Sequence, residues 1–243
     1  MDFPPTFVIN LPDRTDRLQS IRDSFGQWPV PVERIEAVRA KPGWKGCLRS
    51  HKKVLEMAKQ RDYEYIIVLE DDCILTPKGK ETFLQLLPIL KQRVSEWDVF
   101  MGGVTLVDNV KVKQKSPPLF EVKCYTTHFC FFNKEGIKKV LQTLNEEEAY
   151  DVFLRKNVRI WCTVPHIALQ KESHSDIVDS NTNYTEMFQT STKTLEESNK
   201  MLEGFINSPD PNNKSLYLQL FLLTSFISVI WLVFPLNRAK PFR

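Results

Sequence analysis

No two of the five cysteines stand in a C-x-x-C spacing, and none pairs with a histidine at the spacing of a structural zinc site. The count is odd, and most of Cys47, Cys73, Cys124, Cys130 and Cys162 lie in apolar runs, where a free thiol behaves as a small hydrophobe. That excludes a disulfide framework and suits a reducing compartment. An excess of charge is missing too. Against 33 Lys and Arg stand 30 Asp and Glu, a net of +3, so there is no concentrated basic face to hold a nucleic acid. The lysine clusters at 111–115 and 138–139 read as solvated faces. Residues 1–6 contain no basic region leading into an apolar stretch, so no signal peptide is expected there. There is no internal repeat and no low-complexity tract. At 243 residues the chain holds one ample domain and an appendage.

What is present is a short apolar run, residues 65–69, that stops at three consecutive carboxylates, Glu70, Asp71 and Asp72. The run is rich in β-branched residues and bounded by charge, the pattern of a buried parallel strand. In open α/β sheets ligands bind beyond the carboxyl ends of strands. Three acids at such a place repel one another unless a cation neutralises them, and Mg²⁺ or Mn²⁺ prefers oxygen ligands shared with a substrate phosphate. A strand followed by an acidic, solvated turn is the plainer alternative.

A second apolar run, residues 216–234, carries no charge over its length. As a helix it would span roughly 28 Å, close to the hydrocarbon thickness of a bilayer. Tyr217 and Trp231 stand near its ends, where interfacial aromatics belong, and Pro235 terminates it. A transmembrane helix is expected here, with a buried core helix as the alternative. Residues 180–215, rich in Asn, Thr, Ser and Glu and interrupted by one weak amphipathic stretch from Leu195 to Ile206, read as a polar stem, and 235–243 as a short basic tail. Without a signal, residues 1–215 are expected to remain cytosolic, although Arg238, Lys240 and Arg243 pull the other way under the positive-inside rule. The triplets at 183–185 and 213–215 match the N-glycosylation pattern.

Along the rest of the chain, strands are expected at 6–10, 33–38, 65–69, 98–103, 120–124, 126–132 and 159–164. Helices are expected after residue 11, from Leu48 to Ala58, around Phe83 to Leu90, and at 134–144. Gly43 and Gly46 mark a loop. Strands alternating with helices imply a mostly parallel sheet covered on both faces.

Several motifs, in order, resemble those of glycosyltransferase family 25, which includes lipopolysaccharide and collagen-type galactosyl- and glucosyltransferases. FVINLPDRTDRL at 7–18 is similar to its opening VINLxxRxDR, GCLRSH at 46–51 to its GCxxSH, and IVLEDD at 67–72 to its VLEDD. WDVFMG at 97–102, the stretch from Thr127 and His128 to Gly136 with KKVL at 138–141, DVFL at 151–154 and SDI at 175–177 complete the series. The resemblance covers roughly residues 5–178. The departures are modest: Trp44-Lys45 replaces an acidic-apolar pair, Phe131 or Phe132 a tyrosine, and Ile137 an alanine.

The resemblance implies a catalytic domain over 1–179 with an α/β, GT-A-type Rossmann-like, mostly parallel sheet. It further implies an inverting transfer of galactose or glucose from a UDP-sugar to a glycan, lipopolysaccharide-like or protein hydroxyl. Cleaving the bond between anomeric carbon and phosphate leaves charge on the diphosphate, which Mn²⁺ or Mg²⁺ would stabilise. Glu70 and Asp72 fall on one side of an extended chain and are the expected metal ligands, with His174 as a later one. Asp71 then points to the ribose or sugar. Asn10, at the end of the first motif's strand, joins the donor-binding set. Arg14 and Arg17, one helical turn apart, address the nucleotide or its phosphates, unless they pair with Asp13 or Asp16. Ser50 and His51 line the donor-sugar pocket, although His51 also suits a packed core position, and His128 has the same ambiguity. Inversion needs a base opposite the diphosphate. Asp151 is the first candidate, with a helix N-cap role as its alternative, and Asp176 the second. A metal-dependent phosphohydrolase using the same acids ranks lower, because the chain lacks the extra clustered His and Asp ligands that a two-metal hydrolase needs. A catalytically inactive, membrane-anchored protein that binds nucleotide-sugars or acts as a scaffold on the same fold remains the alternative function.

Overall fold

The run Thr6–Asn10 carries apolar residues on both faces and forms strand β1, every residue of it buried. The structure, a computed structural model, describes residues 3–171 and 183–207. After β1 come α1 (Thr15–Ser24), β2 (Val32–Glu36), α2 (Gly43–Gln60), β3 (Tyr65–Glu70), β4 (Cys73–Leu75) and α3 (Gly79–Gln92). Then follow β5 (Val99–Met101), β6 (Thr105–Gln114), β7 (Leu119–Tyr125), β8 (Phe129–Asn133), α4 (Lys134–Thr143), α5 (Tyr150–Asn157), β9 (Ile160–Cys162), β10 (Ala168–Gln170) and α6 (Tyr184–Asn207).

Eight strands form one sheet in the order β2-β1-β3-β8-β5-β9-β7-β6, and β4 pairs with β10 in a separate two-stranded ribbon. Following the pairings across the large sheet, β2, β1, β3, β5, β9 and β6 run one way, while β8 and β7 run against them. The sheet is therefore mixed, with most strands sharing one direction. Alternation along β3 sends Ile66 and Val68 to one face, and Ile67 and Leu69 to the other. On the first face they meet Leu48, Val54 and Leu55 of α2, Ile137 of α4 and Phe153 of α5. On the second they meet Ile21 of α1 and Phe83, Leu86 and Leu90 of α3. At roughly 1.5–3 kcal/mol for each large apolar side chain removed from water, these two layers fix the sheet between its helices.

Three elements depart from the sequence-based expectation. Gly43 and Gly46 lie inside the first turn of α2 rather than in a loop. A Cβ on Gly46 would come within 2.5 Å of the Val38 carbonyl oxygen, so glycine lets the helix start directly against the preceding chain. Strand β6 is unexpected: Val107 and Val110 on it are buried, while Lys111 and Lys113 face outward to Glu121, as expected for the lysine cluster. The expected polar stem at 180–215 contains α6, which is docked on the domain. Its Phe188, Ser191, Leu195 and Ser198 are buried, Leu195 within the core shared by β6 and β7. Asn183 caps that helix: its Oδ1 accepts from the Glu186 N–H at 3.1 Å and its amide donates to Glu186 Oε2 at 3.3 Å. Among the described residues no helix is long and apolar enough to cross a membrane. The expected span at 216–234 lies outside the described residues.

Candidate active site

β3 ends at Glu70, and the chain turns at Asp71 and Asp72 before β4 begins. The turn breaks the alternation that an extended chain would impose, so the three acids diverge. Glu70 faces α2. Its Oε1 lies 3.0 Å from His51 Nε2 and accepts from Thr127 Oγ1 at 2.6 Å. Burial works to raise the Glu70 pKa, but the bonds from His51 and Thr127 outweigh it and hold the carboxyl below the ordinary range. Asp71 faces the other way, into α1. Its Oδ2 accepts from Asn10 Nδ2 at 2.9 Å and its Oδ1 from Arg17 Nη1 at 2.8 Å.

Asp72 sits between them. Its Oδ2 accepts from Gln170 Nε2 at 2.9 Å and stands 4.0 Å from Arg17 Nη1. Its Oδ1 is buried and has no hydrogen-bond partner among the described residues. Burial first, and the nearby Glu70 charge second, push its pKa up to about 7. Arg17 at 4.0 Å offsets the Asp72 charge only in part, as the raised pKa shows, and Oδ1 is left to take a ligand, so the residues present fit a bound divalent cation at this point.

The other expected site residues take defined places. Asn10, at the buried end of β1, also donates to the Arg14 carbonyl at 2.9 Å and accepts from Arg34 Nε at 2.9 Å. It therefore positions Asp71. Arg17 is an inward-facing partner of Asp71, and Arg14 pairs with Asp16 at 3.1 Å. The surface-pairing alternative thus describes Arg14, whereas Arg17 turns inward to the acid cluster. Ser50 does not open into a pocket: its Oγ donates to the Gly46 carbonyl at 2.7 Å and accepts from the Val38 N–H at 2.8 Å. His51 is buried, with its ring stacked on Tyr150 at 4.3 Å between centroids. His128 is a core histidine, its Nε2 3.2 Å from the Ala168 carbonyl and its ring edge-on to Phe188 of α6.

Asp151 lies in the first turn of α5, where Ala149 is the N-cap residue. It is not the cap, although its Oδ1 accepts from the Val152 N–H at 2.8 Å. Burial raises its pKa, and the Glu70 charge adds to the rise. That places a carboxylate within electrostatic reach of the acid cluster. His174 and Asp176 lie outside the described residues.

Sequence reasoning missed three participants. Cys47 belonged to a recognised motif, yet its Sγ proves to lie 3.9 Å from Glu70 Oε1. Thr127 preceded the singled-out His128. It follows Thr126, whose backbone φ of 77° is rare for a β-branched residue and costs about 1–3 kcal/mol. Gln170 gave no sequence signal at all. It reaches Asp72 because β10 pairs with β4, which sets Gln170 opposite Cys73. A cleft of about 400 Å³ opens to one side, between α1 and the β1–β2 edge, lined in part by Leu18, Arg22, Trp28 and Arg34. It adjoins the acids only through the Arg34–Asn10 bond.

Fold and site together define an α/β protein in which three acids gather at the end of β3, beside Asn10 at the end of β1. A family model described as glycosyltransferase family 25 (LPS biosynthesis protein) matches residues 42–202, well over half of the chain. The protein belongs to glycosyltransferase family 25. The match runs past residue 179 into α6, in keeping with the docking of that helix. Human procollagen galactosyltransferase 2 is 25% identical over 146 residues, which cover 49% of this chain and 23% of that protein. The chain thus spans about a quarter of the length of that relative. Among solved structures, A197 from STIV aligns at 15% identity and a TM-score of 0.49, covering 71% of this chain and 87% of its own. A glycosyltransferase involved in glycosylation of the major capsid of PBCV-1 aligns at 12% identity and a TM-score of 0.35, covering 56% and 63%.

Proposed function

We propose that this protein is a metal-dependent, inverting hexosyltransferase with a GT-A-type domain. It moves galactose or glucose from a UDP-sugar to a hydroxyl of a glycan, a lipopolysaccharide-like molecule or a protein. The observation that carries the reading is Asp72, fixed by Gln170 and flanked by Arg17, with one buried oxygen that has no partner among the described residues. Mn²⁺ or Mg²⁺ would be held through that oxygen and through the donor's diphosphate, because such ions commonly take one or two carboxylates and complete their shell with phosphate. When bound, the cation stabilises charge on the departing nucleotide diphosphate. Glu70 stands behind Asp72 as a second negative charge, and Asp71 with Arg17 and Asn10 fixes the turn between them.

Asp151 is the proposed base. A carboxyl raised by burial binds a proton more readily at neutral pH than a solvated one, and a base tuned upward suits removal of a hydroxyl proton. His174 and Asp176 remain candidates for a further ligand and an alternative base. The span at 216–234 is proposed to anchor the domain to a membrane, with residues 1–215 on the cytosolic side.

Calorimetry with UDP tests the reading. Wild-type protein is expected to bind UDP in the presence of Mn²⁺ and at least about tenfold more weakly in chelator. Asp72→Asn, close in shape and still able to accept from Gln170, is expected to lose the Mn²⁺ dependence. Equal UDP affinity with and without metal in the wild type overturns the metal assignment.

A further inference from the structure

Cys47 and His51 stand one helical turn apart on α2, and Glu70 ends β3 beside them. Among the described residues, theirs is the one set of three His, Cys, Asp or Glu side chains whose ligand atoms all lie within 4.8 Å of one another. His51 Nε2 is 3.0 Å from Glu70 Oε1, and Cys47 Sγ is 3.9 Å from the same oxygen. Ligands about 2.0–2.3 Å from one tetrahedral ion stand roughly 3.3–3.7 Å apart, a span that these two separations bracket. The third pair, Cys47 Sγ and the His51 ligand nitrogen, lies within 4.8 Å, so an ion held by all three draws the thiol and the imidazole together.

Two features hold the trio in place. The Tyr150 ring stacks on His51 at an interplanar angle of 24° and fixes the imidazole plane. Gly46 lets the first turn of α2, and with it Cys47, lie against the Val38 backbone. The chemistry of the set is distinct from that of Asp72: a thiol and an imidazole prefer zinc and other thiophilic ions, whereas oxygen ligands alone suit Mg²⁺ and Mn²⁺.

We propose that Cys47 Sγ, His51 Nε2 and Glu70 Oε1 form a three-ligand site for a thiophilic divalent cation of the zinc type, with a fourth position left for water or an added ligand. Binding releases the Cys47 thiol proton to solvent and requires the Nε2 of a neutral His51. Occupancy draws Glu70 toward α2 and removes its negative charge from the neighbourhood of Asp72. The site does not depend on sugar transfer, although it borrows one acid from the proposed active site.

Cobalt and zinc titrations of the full-length protein, first stripped with chelator, test this. Co²⁺ is expected to produce one equivalent of thiolate-to-cobalt charge-transfer absorption in the near ultraviolet, bleached by Zn²⁺. Cys47→Ser is expected to abolish the band, and His51→Ala to weaken zinc binding by about tenfold or more. Asp72→Asn is expected to retain both, which separates this site from failure of the hard-cation site. Circular dichroism reports whether each variant folds. Should Cys47→Ser not fold, X-ray absorption of zinc-loaded wild type replaces it, with one sulfur and two or three nitrogen or oxygen neighbours expected. A band that survives in folded Cys47→Ser, absence of any band in the wild type, or a zinc shell without sulfur overturns the proposal.

Discussion

Asp72 has one oxygen bonded to Gln170 and the other buried without a partner among the described residues, and its carboxyl is lifted to about 7, by burial first and then by Glu70. An unfolded aspartate titrates near 3.8. Between about pH 4 and 7, then, the folded protein holds a proton that the unfolded chain has lost. The contribution of this group to stability is full below about pH 4 and disappears as pH rises through 7, at about 1.4 kcal/mol per unit at most. Glu70, with its depressed pKa, contributes in the opposite sense, at higher pH, and loses its contribution on acidification. The difference in Tm between wild type and Asp72→Asn isolates the first group. In chelator the wild type is expected to lose ground to the variant between pH 4.5 and 7.5, by an amount of order a few kcal/mol, and added Mn²⁺ is expected to restore it. A difference that stays flat with pH would contradict the burial of this carboxylate. Asp151 gives a separate prediction. Asp151→Asn is expected to bind UDP and Mn²⁺ within about twofold of wild type, while transfer measured by sugar release and acceptor labelling falls by about 10²–10⁴.

Among the elements, β1, β3, α3 and α4 were legible because each is long enough, or apolar enough, to show its period: the strands lie between two core layers and each helix packs one apolar face on the sheet. β6 was not, because its exposed lysines stand out while its inward valines are separated by register shifts against β7. The two glycines of α2 also misled. Glycine ordinarily argues against a helix interior, but the close approach at Val38 overrides propensity. α6 was seen only in part: the amphipathic stretch from Leu195 showed in the sequence, but the polar composition before it hid Phe188, and the docking of both on the domain was not expected. Leu195→Ala is expected to destabilise the protein by about 2–5 kcal/mol in denaturant unfolding, as for a buried leucine. A solvated stem would give a change within about 0.5 kcal/mol.

At the scale of the whole molecule, the acids and Asp151 come from segments far apart in sequence and converge because β1, β3 and α5 lie about the same region of the sheet. The proposed anchor at 216–234 makes topology measurable. On membranes bearing the full-length protein, protease added to the cytosolic side is expected to degrade residues 1–215. Full protection of that segment would place it on the other side.

The sequence by itself determined that a buried strand ends in three acids and that ordered motifs mark glycosyltransferase family 25, because hydrophobic period and local spacing are properties of neighbours along the chain. It also marked Asn10, Arg17, His51 and Asp151 as residues of interest. Only the tertiary structure decided what each does. The turn after Glu70 ends the alternation that would pair Glu70 with Asp72, and the partners that orient the acids come from 54, 57 and 98 positions away, as Arg17, Thr127 and Gln170. Side-chain direction beyond a strand's end is set by whichever hydrogen-bond donors the packed layers bring there, and no local pattern records them.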